Sequence, residues 1–168
     1  MPTPPPLPEV VLARVLRIAR FDGLGVLALA GAFALVSALD HKVALALIGV
    51  AAAGAGAAEL HGVAQLGRGE AGGMRWLLAS QPILLAAVLA YCAARLWFVP
   101  LPPLPDYLRN VIAFSAEQWG MSVETYLAFL NRLTMGVVAV ASVALQGGLF
   151  TYYWRRRAPI RQALASEA

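Results

Sequence analysis

The chain has 168 residues, of which 60% are hydrophobic and 13% charged, with a mean hydropathy of +0.70. A soluble domain of this size covers its surface with charged side chains, and too few are present, so that class is excluded. The net charge of +4 does not point to nucleic acid, because the basic residues bracket apolar segments and do not cover an aqueous face.

Residues 1–8, MPTPPPLP, are Pro-rich and are expected to be an extended, flexible leader. Residues 9–20 change character. Val11, Val15 and Ile18 share one helical face while Arg14 and Arg17 lie on another, which predicts a short amphipathic helix at the membrane surface. The first span is expected over residues 22–39, between Asp22 and Asp40. Val36-Ser37-Ala38 offers a signal-peptide cleavage pattern, but the apolar run and the leader before it are long for one. The short turn Asp40-His41-Lys42 then requires the second span to return antiparallel beside the first.

The second span, 43–66, is built mostly of Ala, Gly, Val and Leu, and it stops in the glycine-rich run 67–73. The third span, 74–98, contains Pro82, which removes one backbone hydrogen bond and predicts a bend. Trp76 and Trp97 bracket it roughly 31 Å apart along a helix, which matches a hydrocarbon core with an aromatic residue at each interface. Cys92, the single cysteine, excludes an internal disulfide and reads as a small buried hydrophobe.

Residues 99–131 form the one sizeable segment outside the spans. VPLPPLP starts it stiffly. Two short amphipathic helices are expected to follow. The first carries Tyr107, Leu108, Val111 and Ile112 on one face; the second, N-capped by Ser122, carries Val123, Tyr126, Leu127 and Leu130, and it can run into the next span. The fourth span, about 133–154, closes with Tyr152-Tyr153-Trp154 and then Arg155-Arg156-Arg157, an aromatic belt followed by a basic stop. Residues 158–168 are expected to be a flexible tail.

The expected fold is therefore all-α: an integral membrane four-helix bundle over 9–157, with short amphipathic helices in the loop between the third and fourth spans. Nine arginines (Arg14, Arg17, Arg20, Arg68, Arg75, Arg155, Arg156, Arg157 and Arg161) fall on the side of the two termini. Lys42, Arg95, Arg109 and Arg132 fall on the other. That asymmetry predicts both termini in the cytoplasm and residues 99–131 outside. Lys42 is the single lysine, and the excess of Arg and Ala is the composition associated with a GC-rich bacterial genome, hence a bacterial inner membrane.

Polar groups are costly in lipid, so each asks for partners. Glu59, Gln81 and Gln146 each lie about two turns from the near ends of their spans, so antiparallel geometry brings them to one level. Gly49, Ala52 and Gly56 recur with Glu59 along one narrow face, and small residues admit a close neighbour. Ala139, Ser142 and Gln146 do the same on the fourth span. The prediction is an intramembrane cluster of Glu59, Gln81, Ser142 and Gln146. Three roles are open to it: a structural fastener between helices, a proton or cation carrier centred on Glu59, or an acid that reaches water.

His61 and Glu59 are two residues apart and point to nearly opposite faces, so they do not share a metal. His61, Gln65 and Arg68 instead share a face at the interface, and His41 belongs at the opposite surface, too far away to be a second axial ligand. Tyr91 and Arg95 are spaced i, i+4 near the outer end of the third span. Arg95 either snorkels outward or holds an anionic headgroup or an outer acid such as Asp106 or Glu117. No catalytic residue, metal site or cofactor is expected. There is no nucleophile–histidine–acid set, no HExxH, no CxxC, and no Gly-rich loop in a strand–helix context.

The first functional expectation is a non-enzymatic accessory or assembly subunit, whose partners are the lipid bilayer and either further copies or other membrane proteins. The alternative is a small proton- or cation-linked transporter or channel using the Glu59 cluster. A membrane-embedded enzyme acting on lipid comes third. A dry, closely packed interior with an apolar outer face favours the first, a polar path the second and a side-opening pocket the third.

Overall fold

The computed structural model describes residues 8–98 and 105–166. Its elements are α1 (Pro8–Leu39), α2 (Val43–Gly67), α3 (Gly73–Trp97), α4 (Asp106–Gln118) and α5 (Val123–Ser166). No strand occurs among the described residues. Of the expected leader, residues 1–7 lie outside the described residues, as do 99–104, the stiff start of the following loop. Four helices, α1, α2, α3 and α5, are each long and apolar enough to cross a membrane, which marks the chain as a multi-pass membrane protein.

Three helix ends share one device. At the end of α1 the Lys42 N–H donates to the Ser37 carbonyl (2.8 Å) and the His41 N–H to that of Ala38 (3.0 Å). After α2 the Glu70 N–H reaches Gln65, and after α4 the Met121 N–H reaches Ala116. Each is a Schellman cap, whose turning residue sits in the left-handed region. Gly69 (φ 81°) and Gly120 (φ 63°) take that role cheaply, but in the first turn His41 takes it at φ 57°. Replacing His41 with Gly removes the clash of its Cβ with the backbone. The variant is expected to be about 1 kcal/mol more stable, read as a higher melting temperature in detergent; an unchanged or lower value would contradict the cap.

Two expected breaks are absent. α1 is one helix from Pro8 to Leu39, not a surface helix 9–20 followed by a separate span. Val11, Leu12, Val15 and Ala19 are buried, so the apolar face read from the sequence packs on protein and does not lie flat on lipid. Its cover is the far end of α5, which continues to Ser166 where a loose tail was expected. Ile160, Ala163 and Leu164 are buried there in the same cluster as the start of α1. Neither terminal segment alone has enough apolar surface to signal a core; each becomes structured by burying the other. α3 runs through Pro82 as one helix, as a single span requires.

Among the described residues between α3 and α5, α4 is the one separate short helix. The second expected amphipathic helix is the opening of α5, begun by Ser122, whose Oγ accepts the Thr125 N–H (3.2 Å). Tyr107, Leu108, Val111 and Phe114 of α4 are exposed.

The apolar interior is in two layers. At the end carrying the termini, all four long helices contribute: Val15 from α1, Leu66 from α2, Leu77 from α3, and Tyr153 with Ile160 from α5. In the distal half the layer is Ala52 and Ala55 of α2 with Leu84 and Ala87 of α3, flanked by Val26 and Ala30 of α1; α5 adds nothing to it. In the apolar window of α5 only 6% of residues are buried, against 33% in α2 and in α3. The fourth long helix therefore joins the others most fully at the terminal end; in its distal stretch Met135 is buried, but Val137, Val140, Val143 and Leu145 are exposed.

Candidate functional site

Helix contacts at glycine decide where the polar groups meet. Gly56 of α2 lies against Gly23 of α1: a Cβ on Gly56 would come within 2.8 Å of the Gly23 carbonyl and of the Leu27 nitrogen. Gly62 of α2 and Gly73 of α3 are backbone to backbone in the same way. Gly49 faces Ala34, again with no room for a side chain. All four members of the predicted small-residue face, Gly49, Ala52, Gly56 and Glu59, are buried. The face does what its composition implies, and it carries Glu59 into the interior.

Glu59 is 1% exposed. Its Oε1 accepts a short hydrogen bond from the Tyr153 hydroxyl of α5 (2.7 Å) and a longer one from the Gln81 Nε2 of α3 (3.4 Å). The Gln81 Nε2 also lies 3.3 Å from the Ser80 Oγ, which itself donates to the Leu77 carbonyl (3.0 Å). From α1, the partly buried Asp22 carboxyl faces Glu59 closely enough to interact with it, and its Oδ2 is buried with no hydrogen-bond partner. One acid thus gathers a group from each of the other three long helices. Apolar layers lie on both sides of it, the four-helix layer towards the termini and the three-helix layer beyond.

Of the expected residues, Gln81 bonds Glu59, whereas Gln146 and Ser142 make no hydrogen bond to it. Gln146 lines a crevice of about 310 Å³ between α3 and α5 together with Gln81, Pro82, Leu85, Phe150 and Thr151. Its Oε1 is buried without a partner, as is that of Gln81. Ser142 is partly buried and makes no hydrogen bond to Glu59. The Tyr153 hydroxyl, and not the Gln146 amide, reaches Glu59. Gln146 and Tyr153 lie on the same face of α5, about 10 Å apart along its axis. Taking Trp154–Arg157 as the end of the span aligned Gln146 with Glu59. α5 extends to Ser166 and packs on the start of α1; Gln146 shares a crevice with Gln81, while the Tyr153 hydroxyl takes the place beside Glu59.

Tyr153 and Asp22 were thus missed as site residues, one read as part of an aromatic belt and the other as a span boundary. Helical spacing of seven from Gln146 was the available signal for Tyr153. The glycine pair was the signal for Asp22, since contact of Gly23 with Gly56 brings the residue before Gly23 within side-chain reach of Glu59, one turn along α2.

The remaining expected residues lie at helix ends. His61 is exposed, with its Nε2 3.0 Å from the Gln65 Nε2 and its ring edge-on to Trp76 at 5.0 Å. Arg68 pairs with Glu70 (2.8 Å) in an exposed bridge. Tyr91 meets Phe33 of α1 edge-on at 5.5 Å. The Arg95 Nε is buried without a hydrogen-bond partner; Glu117 is exposed and makes no bridge to it, and the Asp106 side chain lies outside the described residues. Among the described residues no group of three His, Cys, Asp or Glu side chains comes together to hold a metal ion. Chemically, the arrangement is a shielded carboxyl fastening three helices, with a second carboxyl beside it.

No family model, curated protein or solved structure matches this chain.

Proposed function

We propose that the chain is a non-enzymatic integral membrane protein, an accessory or assembly subunit that associates with other membrane helices. In this reading it sits in a bacterial inner membrane as a four-helix bundle with both termini cytoplasmic and α4 as an amphipathic cap outside. The nine-to-four distribution of basic residues supports that orientation. The observation that carries the reading is the exposed outer face of α5 in its distal half. Gly136, Val140, Val143 and Gly147 share one face; Val140 and Val143 are exposed, and open space surrounds both glycines. A face that places small residues where its own bundle needs none is suited to a neighbouring helix, either a second copy or another protein.

The test is purification from native membranes in mild detergent, followed by mass spectrometry of whatever accompanies the chain. Gly136→Phe fills space that is empty in the monomer, so it leaves the melting temperature unchanged and lowers partner recovery by about tenfold, equivalent to ~1.4 kcal/mol. Recovery of the wild-type chain only as a lone species, or equal partner recovery with Gly136→Phe, would count against the assignment.

The unpartnered Asp22 Oδ2 beside Glu59, with the orphan carbonyls of Gln81 and Gln146, favours one second reading: a small proton- or cation-linked transporter. Ion flux in vesicles that survives Glu59→Gln at full rate would remove it.

A further inference from the structure

In the distal half, where α5 is absent from the interior layer, the three remaining helices leave a groove of about 270 Å³. Leu29 and Phe33 of α1, Gly49 and Ala52 of α2, and Ala87 and Tyr91 of α3 line it. Its lining carries no charged side chain, and its inner end is closed by the Ala52, Ala55, Leu84 and Ala87 layer. One turn beyond Tyr91 on the same face of α3 stands Arg95, whose Nε is buried yet bonded to nothing among the described residues. From Ala87 to Arg95 is about 12 Å of helix, close to the ~15 Å of one leaflet's hydrocarbon.

We propose that this groove holds one acyl chain of an anionic phospholipid from the distal leaflet, with the headgroup phosphate accepted by the Arg95 guanidinium. The charge matches, and a guanidinium binds phosphate through two parallel N–H groups. The depth also selects the occupant. A membrane-crossing partner helix would continue through the full ~30 Å of hydrocarbon, whereas this groove ends near mid-bilayer. A chain descending from the distal headgroup layer fits that length, passes the Phe33–Tyr91 ring pair, and replaces the contacts that α5 does not make. The site is separate from the exposed α5 face and stands or falls independently of it.

The experiment uses the delipidated full-length protein in detergent, with phosphatidylglycerol or phosphatidylcholine added and bound lipid counted by native mass spectrometry. One phosphatidylglycerol is expected to be retained in preference to phosphatidylcholine. Arg95→Gln is expected to weaken retention about tenfold, and Arg132→Gln, at the same side of the chain, to leave it unchanged. Ala30→Trp fills the groove without altering charge and is expected to abolish retention, so the chain's seat is tested even if Arg95→Gln unfolds. Equal retention of the two lipids, or full retention by Ala30→Trp, would overturn the proposal. So would a photo-crosslinker at residue 30 that captures a protein helix or a second copy in native membranes and no lipid.

Discussion

Glu59→Ala is expected to lower stability by about 3 kcal/mol, measured by unfolding in mixed micelles. The change strands the Tyr153 hydroxyl, which is fully buried and has Glu59 as its one hydrogen-bond acceptor among the described residues. An unpaired buried donor costs about 1–3 kcal/mol, and the void left by the side chain adds to that. The pair can be isolated in a cycle with Tyr153→Phe. The coupling energy is expected to be about 1–2 kcal/mol, towards the upper end for interhelical hydrogen bonds in membranes because the 2.7 Å contact is short. Glu59→Gln behaves differently: its carbonyl still accepts from Tyr153, and its amide offers the Asp22 carboxyl a donor. That variant should stay within about 1 kcal/mol of the wild type. A cycle with no coupling between positions 59 and 153 would mean that α5 is not fastened at this level.

Gly56→Val is the second large effect, and its partner is Gly54→Val. Both glycines lie in the same Ala-Gly-Ala-Gly-Ala run, with equal propensity and hydropathy. A Cβ on Gly54 meets nothing within 4 Å, whereas on Gly56 it meets backbone atoms of Gly23 and Leu27 at 2.8 Å. Backbone cannot turn aside as a flexible side chain can, so α1 and α2 must separate. Over-packing of this kind costs about 1–3 kcal/mol, and the loss of the Asp22–Glu59 approach goes with it. Gly54→Val is expected to melt with the wild type, and a disulfide engineered between α1 and α2 near this level should form in it but not in Gly56→Val. Equal melting temperatures for the two variants would disprove the close contact.

How much of this could be read in advance differs element by element. Residues 43–66 and 74–98 match α2 and α3 to within a residue at each end, because a continuous apolar run bounded by glycine and charge is a local signal. The Ser122 cap and the burial of the Gly49–Glu59 face were equally local. The pairing of Glu59 with Gln81 followed from short turns, which leave antiparallel neighbours little freedom of register. α5 was different. It is joined to α3 by a long connection that includes α4, so no short turn set its height against the other helices.

By itself, the order of residues determined the solvent, the number of long apolar helices, their antiparallel sense over the first three, and which face of α2 carries its acid inward. These follow from composition and from 3.6-residue periodicity, which each segment carries alone. Only the tertiary structure decided that Tyr153 and not Gln146 reaches Glu59, that Asp22 stands beside it, and that α5 adds nothing to the distal interior layer of the other three. Those outcomes depend on the first helical turns of α1 burying themselves against the last turns of α5. Contact between segments more than a hundred residues apart leaves no periodic trace in either one.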